Sequence, residues 1–277
     1  MISADLHMHT TASDGKYDAK TLFKMAKEKG LDIISITDHD TVGDVRAYLK
    51  LRDQFQINFY PGIEMSTLYK GESVHVLGYF HPDHVPLKSL KIYTDELIQR
   101  RKNRMKTFIE NLKKEYDIDV NYKDVLKSSG GMIARPHLAQ AIIEKYPEYT
   151  HDQLFEGPLS DESKAYVASA KLSTEEGIQF LKEQQATVIL AHPGLMSDEI
   201  HNEVLELPFD GIETYYPRHD ALFRTVYQAH AKDKGWLVTA GSDFHGIEND
   251  SKHGMIGDER LSGPELIAFL RRFQHTI

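Results

Sequence analysis

The sequence predicts an α/β fold built on a parallel sheet, closed or open, with a helical insertion. Three observations predict it: short β-branched or apolar runs recur along the chain, patterns of helical period separate most of them, and β-type runs nearly vanish between residues 85 and 167. The first run is "ISADLH" (2–7). Asp18 is then placed to cap a helix carrying Leu22, Phe23, Met25 and Ala26, which Gly30 ends after a lysine-rich last turn. "DIISITDH" (32–39), "INFYPGIE" (57–64) and "SVHVLGYF" (73–80) follow as strands. The insertion reads as a long charged helix over about 88–115, a Gly130-Gly131 turn and a helix starting at Pro136. Beyond it, "STEEGIQFLKEQQ" opens with a capping-box pattern from Ser173 to Glu176 and leads to strands "TVILAH" (187–192), "DGIETY" (210–215) and "WLVTAGSD" (236–243). A helix over "GPELIAFLRRFQ" closes the chain. The expected division is a strand-bearing domain of 1–84 and 168–277 with an inserted helical subdomain of 85–167.

Composition bounds the function. A chain of 277 residues, 40% hydrophobic and 27% charged, can bury a sizeable core, and no apolar run approaches the ~20 residues of a membrane span. The opening "MISADLH" has neither a basic n-region nor a long apolar h-region, so no secretory signal is expected. Cysteine is absent, which excludes disulfide and thiolate chemistry and fits a cytoplasmic enzyme. A net charge of -9, from 33 basic and 42 acidic residues, argues against a broad grip on long duplex nucleic acid. A small anionic substrate in a locally positive pocket is compatible with it.

Imidazoles and carboxylates recur at or close to the ends of six of the seven expected strands. They are His7 and His9, His39, Glu64, His75, His192, and Asp243 with His245. Side chains two apart on a strand share a face, so His7 and His9 can converge on one ion. In a parallel barrel the C-terminal ends of the strands form the catalytic face. His81, His84, His151, His201, His230, His253 and His275 fall in expected loops or on helix surfaces and read as solvated side chains. Asp40 and Glu213 read equally well as ligand-orienting groups or as ordinary caps and strand residues.

The segments "DLHMHTTASDG", "ITDHDT", "GIEMS", "HVLGYF", "AHPG" and "GSDFHG", in this order from residue 5 to 246, resemble the PHP (polymerase and histidinol phosphatase) family. The resemblance implies a distorted (β/α)7 barrel. It also implies two to three divalent transition-metal ions: one on His7, His9, Glu64 and Asp243, a second on Glu64, His75 and His192, a third on Asp14, His39 and His245. Glu64 would be shared by two of them. Asp14 stands where many family members have histidine, which favours Mn²⁺ or Fe²⁺ over Zn²⁺ at that position. Three divalent ions would more than offset the three carboxylates, so the pocket would attract phosphate.

The expected chemistry is metal-assisted hydrolysis of a phosphate ester, with His219 as the group protonating the leaving oxygen and Glu64 as the shared ligand. "GGMIARPHLAQ" and "TYYPRHD" supply Arg135, His137 and Arg218 as candidate phosphate-binding residues, and both segments look like those of the family's nucleotide-hydrolysing branch. That branch includes nucleoside 3',5'-bisphosphate phosphatases and enzymes trimming short RNA from the 5' end. Other phosphomonoesterase activity, on AMP or histidinol phosphate, stays open, as does a metal-dependent amidohydrolase. A noncatalytic metal-binding module is disfavoured by the intact ligand set.

Overall fold

Buried residues at strand and helix spacing begin at once. β1 (Ser3–Asp5) leads to α1 (Ala19–Glu28), where Asp18 accepts the Thr21 N–H at 2.9 Å and Ala19, Leu22, Phe23 and Ala26 form the buried stripe. β2 (Ile33–Ile34), α2 (Val45–Phe55), β3 (Asn58–Phe59), β4 (Gly62–Tyr69) and β5 (Glu72–Tyr79) follow. Then come the helices α3 (Leu87–Tyr116), α4 (Tyr122–Lys127), α5 (Arg135–Lys145) and α6 (His151–Glu156). The chain continues as α7 (Thr174–Glu183), β6 (Thr187–Leu190), α8 (Asp198–Val204), β7 (Gly211–Tyr215), α9 (Ala221–Lys234), β8 (Leu237–Ala240), β9 (Leu261–Ser262) and α10 (Gly263–Arg271). The Ser173 capping box forms at the start of α7. This computed structural model describes residues 2–127, 134–168, 171–248, 250 and 252–274. The expected Gly130-Gly131 turn and His275 lie outside the described residues.

The strands form two sheets. One has the order β3-β2-β1-β9 and the other β4-β5-β6-β7-β8. Neither is wholly parallel: β1 with β9, β4 with β5, and β5 with β6 are antiparallel, while the remaining neighbours are parallel. The expected third strand, 57–64, is divided between β3 and β4 around Pro61, which has no N–H to give a ladder. Lys70 and Gly71 both take positive φ, 49° and 91°, and form the tight turn that reverses β4 into β5.

The sheets are not closed into the expected seven-stranded barrel. Regular pairing stops where the backbone bends at the candidate ligands, with φ of 57° at Asp40, 24° at His192 and 53° at Asp243. Beyond those points single bonds continue between the sheets. Asp243 N donates to His7 O at 2.8 Å and His9 N to Phe244 O at 2.9 Å. On the other side Glu64 N donates to Asp38 O at 3.2 Å and Asp40 N to Glu64 O at 2.9 Å.

Packing divides the chain into two units, residues 1–91 with 172–277, and residues 92–171. In the first, Phe23, Ile34, Phe59 and Phe244 make one buried cluster, and Leu6, Leu77, Ile189 and Phe269 another. The second has its own core of Phe108, Leu112, Leu138, Ile142 and Leu154. Each such side chain, fully buried, contributes roughly 1.5–3 kcal/mol, so both units have an apolar basis for rigidity. No described helix is long and apolar enough to cross a membrane.

Candidate metal centre

The ligand-type side chains sit where the strands lose their regularity. His7 and His9 follow β1, His39 follows β2, Glu64 lies in β4, His192 follows β6, and Asp243 and His245 follow β8. His75 arrives from the first half of β5 rather than from a C-terminal end. Because β5 is antiparallel to both neighbours, its early residues lie beside the later residues of β4: His75 pairs with Ser66. Close packing holds the first histidine in place. A Cβ on Gly241 would fall 2.1 Å from the His7 Cβ, so only glycine fits there.

Four side chains bring one atom each to a common point. His7 Nε2 lies 3.3 Å from both Glu64 Oε2 and Asp243 Oδ1, and His9 Nε2 lies 3.2 and 3.0 Å from the same two oxygens. All four residues are buried, yet these four atoms make no hydrogen bond among the described residues. A buried polar atom without a partner is costly, and four of them aimed at one another call for a cation. Their separations are those expected of ligands around one ion with bonds of about 2 Å. This donor set therefore fits a divalent metal.

Glu64 divides its two oxygens. Oε2 faces His7, His9 and His39, the last at 3.0 Å, while Oε1 lies 2.8 Å from His75 Nδ1 and 3.0 Å from His192 Nε2. A third group forms around Asp14, whose oxygens lie 3.4 Å from His245 Nε2, 3.6 Å from His39 Nε2 and 3.8 Å from His9 Nδ1. Of the three sets suggested by the family resemblance, His7, His9, Glu64 and Asp243 lie in mutual reach, as do Asp14, His39 and His245 together with His9, while it is His39 that groups with Glu64 and His75, and His192 meets Glu64 Oε1 alone. A pocket of about 270 Å³ opens over them, with Leu195 and Ile247 as its apolar lining.

The electrostatics point the same way. Burial by itself would lower the pKa of His7 and His39. The carboxylates of Glu213, Asp243 and Glu64 nevertheless hold His7 well above its ordinary value, and Glu64 with Asp14 raises His39 to about 9. His192 and His245 are also raised against the effect of burial. Conversely, burial would raise Glu64, but His39, His75 and His7 hold it well below the usual carboxylate range. Burial lowers His75 instead, so the carboxylates favour positive charge on four of these imidazoles and not on all of them.

Further residues fix this arrangement. Glu213 accepts from His7 Nδ1 and from the His192 backbone N–H, each at 2.9 Å, and so orients the His7 ring. Asp40 accepts the Ser66 N–H at 2.9 Å. Asp38 holds the loop that carries Asp14, accepting from Thr10 N, Thr10 Oγ1 and Ser13 Oγ, each at 2.7 Å. Asp5 accepts the N–H groups of His7, Ser242 and Gly257, and burial pushes its pKa up to about 6. None of these backbone roles leaves a spacing signal in the sequence.

His253 corrects its reading as a solvated side chain. It lines the pocket, stacks on His245 with centroids 4.2 Å apart, and approaches Asp243 Oδ2 at 3.7 Å while Asp250 holds its Nδ1 at 2.7 Å. His219 is buried, and the backbone occupies both ring nitrogens: Nδ1 bonds Thr214 O and Nε2 accepts the Gly194 N–H, each at 3.0 Å. In that tautomer it carries no proton at Nε2, and burial lowers its pKa further. Its geometry suits holding the Gly194 turn rather than donating to a leaving oxygen. Arg218 is exposed. In the second unit, Arg135 pairs with Asp161 at 2.6 Å, and His137 Nδ1 accepts the Ala134 N–H at 3.0 Å, capping α5.

The model of the PHP domain matches residues 5–152. Among known proteins, the chain is 28% identical to the 5'-3' exoribonuclease Rnm of Salmonella typhimurium, over 87% of this chain and 84% of that relative. It is 26% identical to the phosphoribosyl 1,2-cyclic phosphate 1,2-diphosphodiesterase of Eggerthella lenta, over 87% of this chain and 94% of the relative. Its fold is similar to the crystal structure of a protein from Bifidobacterium adolescentis assigned as a metal-dependent phosphoesterase. That match has a TM-score of 0.71 and 26% identity, over 97% of this chain and 96% of the other.

Proposed function

Because this chain belongs to the PHP domain family, we propose that it is a metal-dependent phosphoesterase acting on a small nucleotide. The favoured substrates are nucleoside 3',5'-bisphosphates, losing the 3'-phosphate, and short 5'-phosphorylated oligoribonucleotides. The observation that carries the reading is the convergence of buried, unpartnered donor atoms of His7, His9 and Asp243 on a Glu64 carboxylate that also meets His39, His75 and His192.

His7, His9, Glu64 and Asp243 would hold one ion, Glu64, His75 and His192 a second, and Asp14, His39 and His245 a third. Mn²⁺ is the proposed metal, since a carboxylate at position 14 hardens the third set. Bound there, divalent ions supply Lewis acidity to phosphoryl oxygens and make water nucleophilic at neutral pH. The chain's own residues do the placing. Glu213 keeps His7 in the tautomer that presents Nε2 to the centre, and Asp38 keeps Asp14 within reach of His39 and His245. Leu195 and Ile247 are the apolar side chains that line the pocket. Arg135, His137 and Arg218 are proposed as phosphate-binding residues. As architecture we propose a distorted seven-stranded barrel in which the single bonds around His7, Asp243, Glu64 and Asp38 stand in for continuous ladders.

The test is phosphate release from a panel of nucleoside mono- and bisphosphates and short 5'-phosphorylated RNAs by Mn²⁺-loaded protein. The expected result is preference for a bisphosphate or a short RNA over AMP and histidinol phosphate. Amide hydrolysis without any phosphate release would refute the proposal.

A further inference from the structure

The loop between β8 and β9 carries an imidazole that none of the three ligand sets uses. It belongs to His253, and the segment around it is tied to the candidate centre. Gly254 N donates to Ser242 O at 2.8 Å, one residue before Asp243. A Cβ on Gly254 would fall 2.7 Å from the Pro217 ring, so this approach leaves no room for a side chain. The Tyr216 hydroxyl donates to Asp243 Oδ2 at 3.1 Å and lies 3.4 Å from Lys252 O, joining the two segments. Asp250 Oδ1 accepts the N–H groups of Lys252 and His253 at 2.8 and 3.2 Å.

An ordinary turn accounts for those backbone contacts, but not for the direction of the ring. Asp250 Oδ2 accepts from His253 Nδ1 at 2.7 Å, so the neutral ring presents its lone pair at Nε2. That nitrogen faces Asp243 Oδ2 at 3.7 Å and makes no hydrogen bond among the described residues. Two lone-pair atoms aimed at each other repel unless a cation stands between them. Their separation exceeds the roughly 3 Å over which a proton is shared, yet suits two ligands of one ion with bonds of about 2 Å. Asp243 Oδ1 meanwhile lies 3.3 and 3.0 Å from His7 and His9 Nε2, so Asp243 divides its oxygens much as Glu64 does. The His245 ring stacks on His253, and Asp243, His245 and His253 each bring one ligand-type atom into mutual reach. A carboxylate behind the ring, here Asp250, is also how ligating imidazoles are oriented.

We propose that His253 is a further metal ligand, binding a divalent ion together with Asp243 and His245 and held in place by Asp250. The assignment rests on the metal-centre reading above and extends it to a residue beyond the segments that carry the family resemblance. Asp243 then becomes a second shared carboxylate. Asp250 is a positioning residue that acts through the His253 ring.

The experiment is a Co²⁺ titration of the full-length protein, freed of metal by chelator and followed by visible absorption, for the parent, His253→Gln and Asp250→Asn. Asp250→Asn keeps the imidazole but loosens its orientation, and should weaken one ion by about tenfold. His253→Gln should weaken the same ion by about 100-fold while the other ions titrate as in the parent. Titrations that match the parent in both variants would overturn the proposal. A His253 that touches only substrate would raise KM and leave the titration unchanged, which would overturn it equally. A second readout uses the parent itself. The Nε2 nitrogen resonance of His253, assigned by its displacement in Asp250→Asn, is followed by NMR as Zn²⁺ is added. A saturable shift supports coordination, and no shift at saturating Zn²⁺ overturns it. Should the protein release phosphate from no nucleotide while both metal readouts depend on His253, the ligand stands and the nucleotide reading is what fails. A protein that binds no divalent metal would overturn both.

Discussion

The two units use polar side chains in opposite ways. In the unit of residues 1–91 and 172–277, buried imidazole and carboxylate atoms of His7, His9, Glu64 and Asp243 have no hydrogen-bond partner among the described residues and are aimed at one another. In the unit of residues 92–171, Arg135 and His137 are engaged by their own surroundings, Asp161 and the Ala134 N–H. The difference teaches how each set can respond to a ligand: unpartnered buried donors are stabilised by a cation, whereas braced cations can exchange partners for an arriving anion. Under the proposed function, loss of a candidate ligand in the first unit should remove turnover.

The largest expected effect is that of Glu64→Gln. With one oxygen facing His7, His9 and His39 and the other facing His75 and His192, its loss should remove metal and activity together. Turnover should fall by roughly three orders of magnitude, with metal content measured on the same sample. Near-normal turnover would show that Glu64 is not shared. Glu213→Gln tests the layer behind the ligands: because Glu213 fixes His7 and the His192 backbone, metal affinity should drop by about 10- to 100-fold. An unchanged affinity in a metal titration would reduce Glu213 to a packing residue.

Arg135→Ala should act on KM, raising it about tenfold more for a bisphosphate than for a monophosphate. Equal effects on both substrates would erase the contrast between the units. The smallest effect concerns pH. His39 in the metal-free protein is raised from 6.5 to about 9. Its stabilising contribution is complete below pH 6.5 and is lost as pH rises through 9. Thermal melting of chelator-treated protein should therefore drop by roughly a few degrees between those values. The metal-loaded protein should not follow, since bound metal needs deprotonated histidines. Parallel pH curves for the two forms would contradict the competition between protons and metal.

The candidate centre was legible because its ligand-type residues are rare residue types placed at strand ends. His7, His39, His192 and Asp243 each close a β-type run, so the run announces the residue. Strand direction was not legible, because β-propensity is the same for parallel and antiparallel neighbours. The signal that could have shown it is the Lys70-Gly71 turn between two eight-residue strands, β4 and β5. His253 escaped because it reaches the pocket from the loop beyond β8, where no periodicity marks direction. Asp5 and Asp38 escaped for another reason. They act on backbone N–H groups brought near by folding, and such contacts have no fixed spacing in sequence.

The central claim is that Glu64 is shared within a centre of several ions. Elemental analysis of gently purified protein, taken without chelator, tests it most directly. The account predicts more than one transition-metal ion per chain, falling sharply in Glu64→Gln; a single ion per chain, retained in that variant, would contradict it.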